Sequence, residues 1–264
     1  MLTKGRIQSI RSLSERKQRN AKGVFVVEGG KSVAELLMTD LIIEELYITH
    51  EFAKKYETEL HAAGKRQAEV QKWLKPQLVE AGELKQLSSL EATDGALAIV
   101  KQPAKIEIDI VEAAKKDIVL ILEDIRDPGN LGTIMRIADW YGVKNIFASV
   151  GTVDMFNNKT IIASMGSFAR VNIQYAEVKA LIQKCNENKI LTIGSVLGGK
   201  SSHEYAWPKT GVLVIGNEAN GIYEETRFLL KNTVTIPSYG KAESLNAGVA
   251  TAVLLDEWRR AGSK

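Results

Sequence analysis

The sequence predicts an α/β protein in two parts, a small N-terminal α/β domain and a larger C-terminal domain on a mostly parallel sheet. Three observations carry this. Short apolar, β-rich runs alternate with helical stretches along most of the chain. A proline-containing stretch of mixed charge, residues 101–110, interrupts the alternation. At 264 residues, 45% of them apolar, the chain is nearer two ordinary domains than one.

In chain order, Ile7, Ile10 and Leu13 follow helical spacing, Val24-Phe-Val-Val reads as a strand and residues 31–38 as a helix. Leu46-Tyr-Ile-Thr, a helix over residues 52–63 and Ala96-Leu-Ala-Ile-Val continue the pattern. This places an N-terminal domain at residues 1–102, a linker at 103–116 and the second domain at 117–264. In the second domain the strand candidates are Ile118-Val-Leu-Ile-Leu, Asn145-Ile-Phe-Ala-Ser-Val, Arg170-Val-Asn-Ile, Ile190-Leu-Thr-Ile-Gly-Ser, Val212-Leu-Val-Ile and Thr233-Val-Thr-Ile, mostly with helices between them. Such a sheet is covered on both faces, and ligands gather at the carboxyl ends of its strands.

Composition narrows the chemistry. One cysteine, Cys185, allows no intrachain disulfide and suits a reducing cytoplasm. The longest apolar runs are too short to cross a bilayer, so a soluble cytoplasmic protein without a membrane partner is expected. His50, His61 and His203 lack metal-ligand spacing, so no metal is expected. Ser201-Ser202-His203 has no strained turn around a nucleophile and reads as a loop. Net charge is only +3, yet Lys4, Arg6, Arg11, Arg16, Lys17, Arg19 and Lys22 face one acid, Glu15, in the first 22 residues. That segment is either a phosphate-binding surface or a solvated helix face.

Three motifs follow strands. Asp127-Pro-Gly is turn chemistry, and Asn130-Leu-Gly opens an amphipathic helix bearing Arg136. Free amides, an amide side chain and a guanidinium suit an anion; alternatively Asn130 only caps the helix and Arg136 is solvated. Gly216-Asn-Glu-Ala-Asn-Gly closes another strand and puts Glu218 at its mouth, either for a ligand or as a plain turn. Ile236-Pro-Ser-Tyr-Gly-Lys-Ala-Glu-Ser-Leu-Asn-Ala-Gly leads into a final helix with small first turns, which requires a close neighbour or a partner subunit. Ser244 is a candidate N-cap, and Asn246, read one turn inside, leaves a polar amide to explain. Trp140, Tyr141 and Trp258 sit at helical spacing and read as core or dimer contacts.

Taken together and in this order, Asn130-Leu-Gly with Arg136, Gly216-Asn-Glu with Gly221, and Ile236-Pro with Ser244-Leu-Asn246 resemble the three motifs of the SpoU/TrmH branch of the SPOUT RNA methyltransferases. The resemblance covers residues 118–260. More loosely, Arg16-Lys-Gln-Arg and Phe25-Val-Val-Glu-Gly resemble the small RNA-binding domain, related to a ribosomal-protein fold, of ribosomal-RNA members. It implies a deep trefoil knot, a homodimer through the knotted domain, and S-adenosylmethionine held by Leu197, Gly198, Gly216, Ile236, Leu245 and Ala247. It also implies methylation of a ribose 2′-hydroxyl by Arg136, Asn130, Glu218, Ser244 and Asn246, with Glu218 holding Arg136 or Asn130. Ser238 stands where a methionine is common, and Ala247-Gly248 where Val-Ser is more usual. Arg136 is either the base or, since a guanidinium scarcely deprotonates, an electrostatic stabiliser of the developing alkoxide. Lys4, Arg6, Arg11, Arg16, Lys17 and Arg19 would then contact RNA phosphates. Ribosomal RNA is the expected substrate; transfer RNA, or a non-catalytic RNA-binding role, are the alternatives.

Overall fold

The basic N-terminal segment folds as two short helices, α1 (Lys4–Arg11) and α2 (Arg16–Lys22), in a computed structural model that describes residues 2–70, 74–90 and 94–262. Thr3 caps α1 by accepting from Arg6 N–H, and Gly23, at φ 64°, turns α2 into β1 (Val24–Glu28). Then come α3 (Gly30–Leu37), β2 (Ile43–Ile48), α4 (His50–Lys55), α5 (Glu57–Val70), β3 (Gln77–Leu78), α6 (Ala81–Leu87) and β4 (Ala96–Lys101). The sheet order is β1-β4-β2-β3, with β4 antiparallel to both β1 and β2. Every residue of β1 is buried, and Val33, Leu36 and Leu37 give α3 one apolar stripe. The single helix expected over residues 52–63 is divided at Tyr56, whose φ of −118° leaves the helical region and closes α4.

The second half runs α7 (Ile110–Lys116), β5 (Ile118–Leu122), α8 (Pro128–Trp140), β6 (Asn145–Ala148), α9 (Asn158–Ser164), β7 (Asn172–Tyr175), α10 (Val178–Glu187), β8 (Thr192–Ser201), β9 (Gly211–Ile215), α11 (Glu224–Arg227), β10 (Asn232–Thr235) and α12 (Ala247–Gly262). Its six strands are all parallel, in the order β10-β8-β9-β5-β6-β7. Central β5 is wholly buried, with Leu120 opposite Leu213 on one side and Ile146 on the other. Val119, Ile121, Phe147, Ile182, Val212 and Val214 belong to one core cluster, where trimming a large aliphatic side chain to alanine costs about 2–5 kcal/mol. The seventh strand begins at Asn172 rather than Arg170, because residues 167–169 form a 3-10 turn just before it.

The chain divides into two compact units, one running to Lys105 and including Phe156–Ala169, the other comprising Ile106–Met155 and Arg170–Lys264. The inserted segment, with α9, thus packs in the first unit. There Phe156 lies 4.5 Å from Phe25, and Asn158 Nδ2 donates to the buried Glu28 carboxylate at 2.5 Å. Ser88 and Ser89 donate to the same carboxylate, so this buried charge is well satisfied.

In the second unit, parallel pairing brings the carboxyl ends of β5, β9 and β10 to one edge of the sheet. Strand β8 pairs with β10 in two separate stretches: Gly194 is opposite Thr233, and Lys200 is opposite the next residue, Val234. Residues 195–199 therefore leave the ladder as an excursion that carries Leu197 and Gly198.

Candidate active site

Helix α8 begins earlier than its sequence motif suggests. Asp127 is the N-cap, accepting from Asn130 N–H at 2.8 Å, and Pro128 takes the first helical position. Asn130 is thus not the cap, and its side-chain amide is released for other partners.

The last helix shows the same shift. Ser244 is exposed, outside the helix and without a cap bond, whereas Asn246 is the residue that caps α12, its Oδ1 accepting from Gly248 N–H at 2.9 Å and Val249 N–H at 3.3 Å. Asn246 therefore stands at the helix mouth, not one turn inside. Its capping role fixes the amide: Oδ1 faces the helix, so Nδ2 points away and donates to Asn130 Oδ1 at 2.7 Å. Asn130 is fixed in turn, and its Nδ2 donates to Glu218 Oε1 at 2.7 Å. One directed chain of hydrogen bonds, Asn246 to Asn130 to Glu218, ties the three motifs together.

Glu218 is positioned by the turn after β9. The carbonyl oxygen of Asn217 accepts from Gly221 N–H and its N–H donates to Gly221 O, both at 2.9 Å. Asn217 Oδ1 takes the amides of Ala219 and Asn220, and its Nδ2 donates to Asp124 O at 2.7 Å. Gly216 must be glycine, because a Cβ there would fall on the Gly221–Ile222 backbone.

Arg136 lies six residues beyond Asn130, about 120° round α8. It is exposed and, among the described residues, makes no hydrogen bond or ion pair. Glu218 holds Asn130 and not Arg136, so the guanidinium keeps its full donor set for a ligand. Trp140, one turn further, is 83% exposed and not core, whereas Trp258 is buried and donates to Pro208 O. The close neighbour expected for the small-residue start of α12 is α8: a Cβ on Gly248 would meet Thr133 Cγ2 at 3.0 Å.

The residues expected around a cofactor differ in exposure. Gly216 and Ala247 are buried, Ile236 is half-buried, and Leu197 and Leu245 are 71% and 49% exposed. Gly198, at φ +77°, has open space where a Cβ would stand.

In the first unit, Lys4, Arg11, Arg16 and Lys17 are exposed on α1 and α2. Arg6 is half-buried and pairs with Glu45, which also accepts from Tyr47 OH. Arg19 is a correction to the expected phosphate contacts: it is 2% exposed, and its Nη1 donates to the carbonyl oxygens of Leu13 (2.9 Å) and Ser14 (2.7 Å). It holds the turn before α2. His203 lies 3.2 Å from Glu257, and Ser202 is buried.

Two acids directly after β5 were not singled out from sequence. Glu123 is buried and accepts from Tyr223 N–H (2.9 Å) and Thr226 Oγ1 (2.5 Å); burial pushes its pKa up, against those two bonds. Asp124, at φ 60°, binds Arg126 and Tyr223. Adjacent acids at a strand end are a visible signal, but their partners are about a hundred positions away.

The model of the SpoU rRNA Methylase family matches residues 117–256, and that of the MRM3-like substrate binding domain residues 4–98. The chain is 26% identical over 253 residues to the 23S rRNA guanosine 2′-O-methyltransferase RlmP of Bacillus subtilis, covering 95% of this chain and 94% of that one. A solved structure assigned to the TrmH family of RNA methyltransferases, from Porphyromonas gingivalis, superposes with a TM-score of 0.81 at 31% identity, over 98% of this chain and 99% of that one. An AdoMet-bound rRNA methyltransferase from Sinorhizobium meliloti superposes at 0.78 with 25% identity, over 98% and 96%. The family's model spans all three motifs that the hydrogen bonds join at the strand ends of the parallel sheet, and the chain belongs to the SpoU rRNA methylase family.

Proposed function

We propose that this chain transfers a methyl group from S-adenosylmethionine to a ribose 2′-hydroxyl of ribosomal RNA. The observation that carries this reading is the hydrogen-bond chain Asn246–Asn130–Glu218, which holds two amide side chains in one orientation at the start of the helix that also bears the exposed Arg136. Bound S-adenosylmethionine supplies an electrophilic methyl group. Leu197, Gly198, Gly216, Ile236, Leu245 and Ala247 are the residues that would hold it, and their apolar rim and open glycine suit its adenine.

The protein's own task is to orient the hydroxyl and manage its proton. Asn130 and Asn246 each use one amide N–H within the chain and keep one for the nucleotide. Ser244, exposed beside Asn246, adds a hydroxyl. Arg136 stabilises the developing alkoxide as a charged donor, while phosphate or water takes the proton; a guanidinium scarcely deprotonates in proteins and is a poor base. Lys4, Arg11, Arg16 and Lys17 contribute sequence-independent phosphate contacts.

The coverage of the relative RlmP, which extends over the N-terminal unit, supports ribosomal RNA as the substrate. We also infer a trefoil knot and a homodimer through the C-terminal unit; exposed Trp140 on α8 and Val249 on α12 offer it apolar surface. No described helix is long and apolar enough to cross a membrane, and the proposed site of action is the cytoplasm. The test offers purified protein unmodified ribosomal and transfer RNA in separate reactions with methyl-labelled S-adenosylmethionine. Labelling of ribosomal RNA alone is expected; labelling of transfer RNA alone overturns the substrate.

A further inference from the structure

We propose that Arg126 is an RNA-binding residue that grips a backbone phosphate next to the target nucleotide, held in place by Asp124. The proposal rests on the methyltransferase reading above and deepens it. Arg126 lies in the segment between β5 and α8, four residues before Asn130. Its Nε and Nη2 donate to Asp124 Oδ2 at 3.0 and 2.7 Å, and the same oxygen accepts from Tyr223 OH at 2.6 Å.

Three parts of the second unit converge to build this arrangement. Asp124 adopts a left-handed backbone at φ 60°, uncommon for a residue with a side chain. Its N–H donates to Ser149 Oγ at 2.9 Å after β6, and its carbonyl accepts from Asn217 after β9. Gly151 makes room for the carboxylate, since a Cβ there would collide with Asp124 Oδ1. The Asp124 carboxyl side chain is only 10% exposed. The Tyr223 phenol, whose pKa is raised chiefly by its bond to Asp124, stays protonated as a donor.

All this fixes an arginine whose own side chain is 69% exposed. Arg126 supplies the counter-charge of a nearly buried carboxylate, and its outer edge, which faces solvent, takes no part in that pairing. Two of the five guanidinium N–H groups go to Asp124, Tyr223 is a further polar neighbour, and the exposed edge keeps donors for solvent or a ligand. A preoriented guanidinium with a free edge is the geometry that recognises phosphate. The Asn217 bond to Asp124 O also links this arginine to the turn that carries Glu218, so the phosphate grip and the catalytic chain share one frame.

The experiment measures binding of full-length protein to unmodified 23S ribosomal RNA transcript as a function of NaCl, alongside S-adenosylmethionine affinity and thermal stability. Arg126→Ala is expected to weaken RNA binding about tenfold and to lower the slope of log Kd against log salt by about one, with cofactor affinity unchanged; any fall in melting temperature reports the lost partner of the Asp124 carboxylate and leaves the salt slope as the deciding measurement. Arg126→Lys keeps the charge and should retain the slope. An unchanged slope in Arg126→Ala overturns the proposal. So does a loss of S-adenosylmethionine affinity with RNA binding intact, which would assign Arg126 to the cofactor carboxylate. If the wild-type protein binds the cofactor but no RNA, the enzymatic reading fails, and this one with it.

Discussion

Within the second unit, the polar chain Asn246–Asn130–Glu218 and the apolar residues around Leu197 and Leu245 are built differently. In the polar chain each amide is oriented by a neighbour, and the orientation starts from a backbone cap on α12. Leu197, Gly198 and Leu245 are exposed, and the excursion over 195–199 leaves the sheet ladder. The polar groups are oriented in advance by one another, whereas these apolar side chains are left exposed. Preorganised dipoles lower a barrier without reorganising at the moment of reaction, whereas a flat ligand needs only an open surface to bury.

The contrast is sharpest at Arg136, which stands on the same helix as Asn130, exposed and, among the described residues, bonded to no other group. Arg136→Ala should lower kcat/KM for methyl transfer about 100-fold to 1000-fold, with unchanged melting temperature and cofactor affinity. Near-normal turnover would remove Arg136 from the mechanism. Glu218→Ala should be milder in rate but visible in stability, because it removes the acceptor of the part-buried Asn130 amide at a cost of about 1 kcal/mol in denaturant unfolding. Glu218→Gln, whose amide oxygen still accepts from Asn130, should recover most of that loss. If both variants unfold alike, the hydrogen bond is not what holds Asn130.

On the open side the effects should be smaller. Leu197→Ser removes exposed apolar surface, so S-adenosylmethionine affinity measured by calorimetry should fall about fivefold while stability stays the same. A drop in melting temperature would mean that Leu197 belongs to the core. The smallest effect concerns Glu123, behind both regions. Burial raises its folded pKa, so its contribution is fully present below the unfolded value and is lost as pH rises through the folded one. Wild-type melting temperature should therefore decline relative to Glu123→Gln as pH climbs from the ordinary glutamate range upward, and parallel pH curves would contradict this.

What could be read from sequence follows the same physical division. Strands such as Ile118–Leu122 and Gly211–Ile215 are buried along their whole length, so their apolar runs declare them locally. The motif residues Asn130, Glu218 and Asn246 were legible as strand-end polar groups, and the resemblance already had Glu218 holding Asn130 or Arg136, but which residues cap the helices was not legible. Asp127 and Asn130, or Ser244 and Asn246, are equally good caps on local grounds. The choice at α12 is tied to a partner 116 residues away, when Asn246 Nδ2 meets Asn130. Arg19 looked like its basic neighbours, and only the turn that packs over it shows that its donors go to Leu13 and Ser14. The excursion of β8 depends on its pairing with β10, and Gly198-Gly199 is its one local mark within residues 195–199.

The central claim is that these groups act on a ribose hydroxyl of ribosomal RNA. It is tested most directly by mapping the methyl group that the wild-type protein places on unmodified 23S ribosomal RNA, by nuclease digestion and mass spectrometry, with Arg136→Ala as the control. The account predicts one 2′-O-methylated nucleotide that is absent with Arg136→Ala. A methyl group on a base, or an equal yield from the variant, would contradict it.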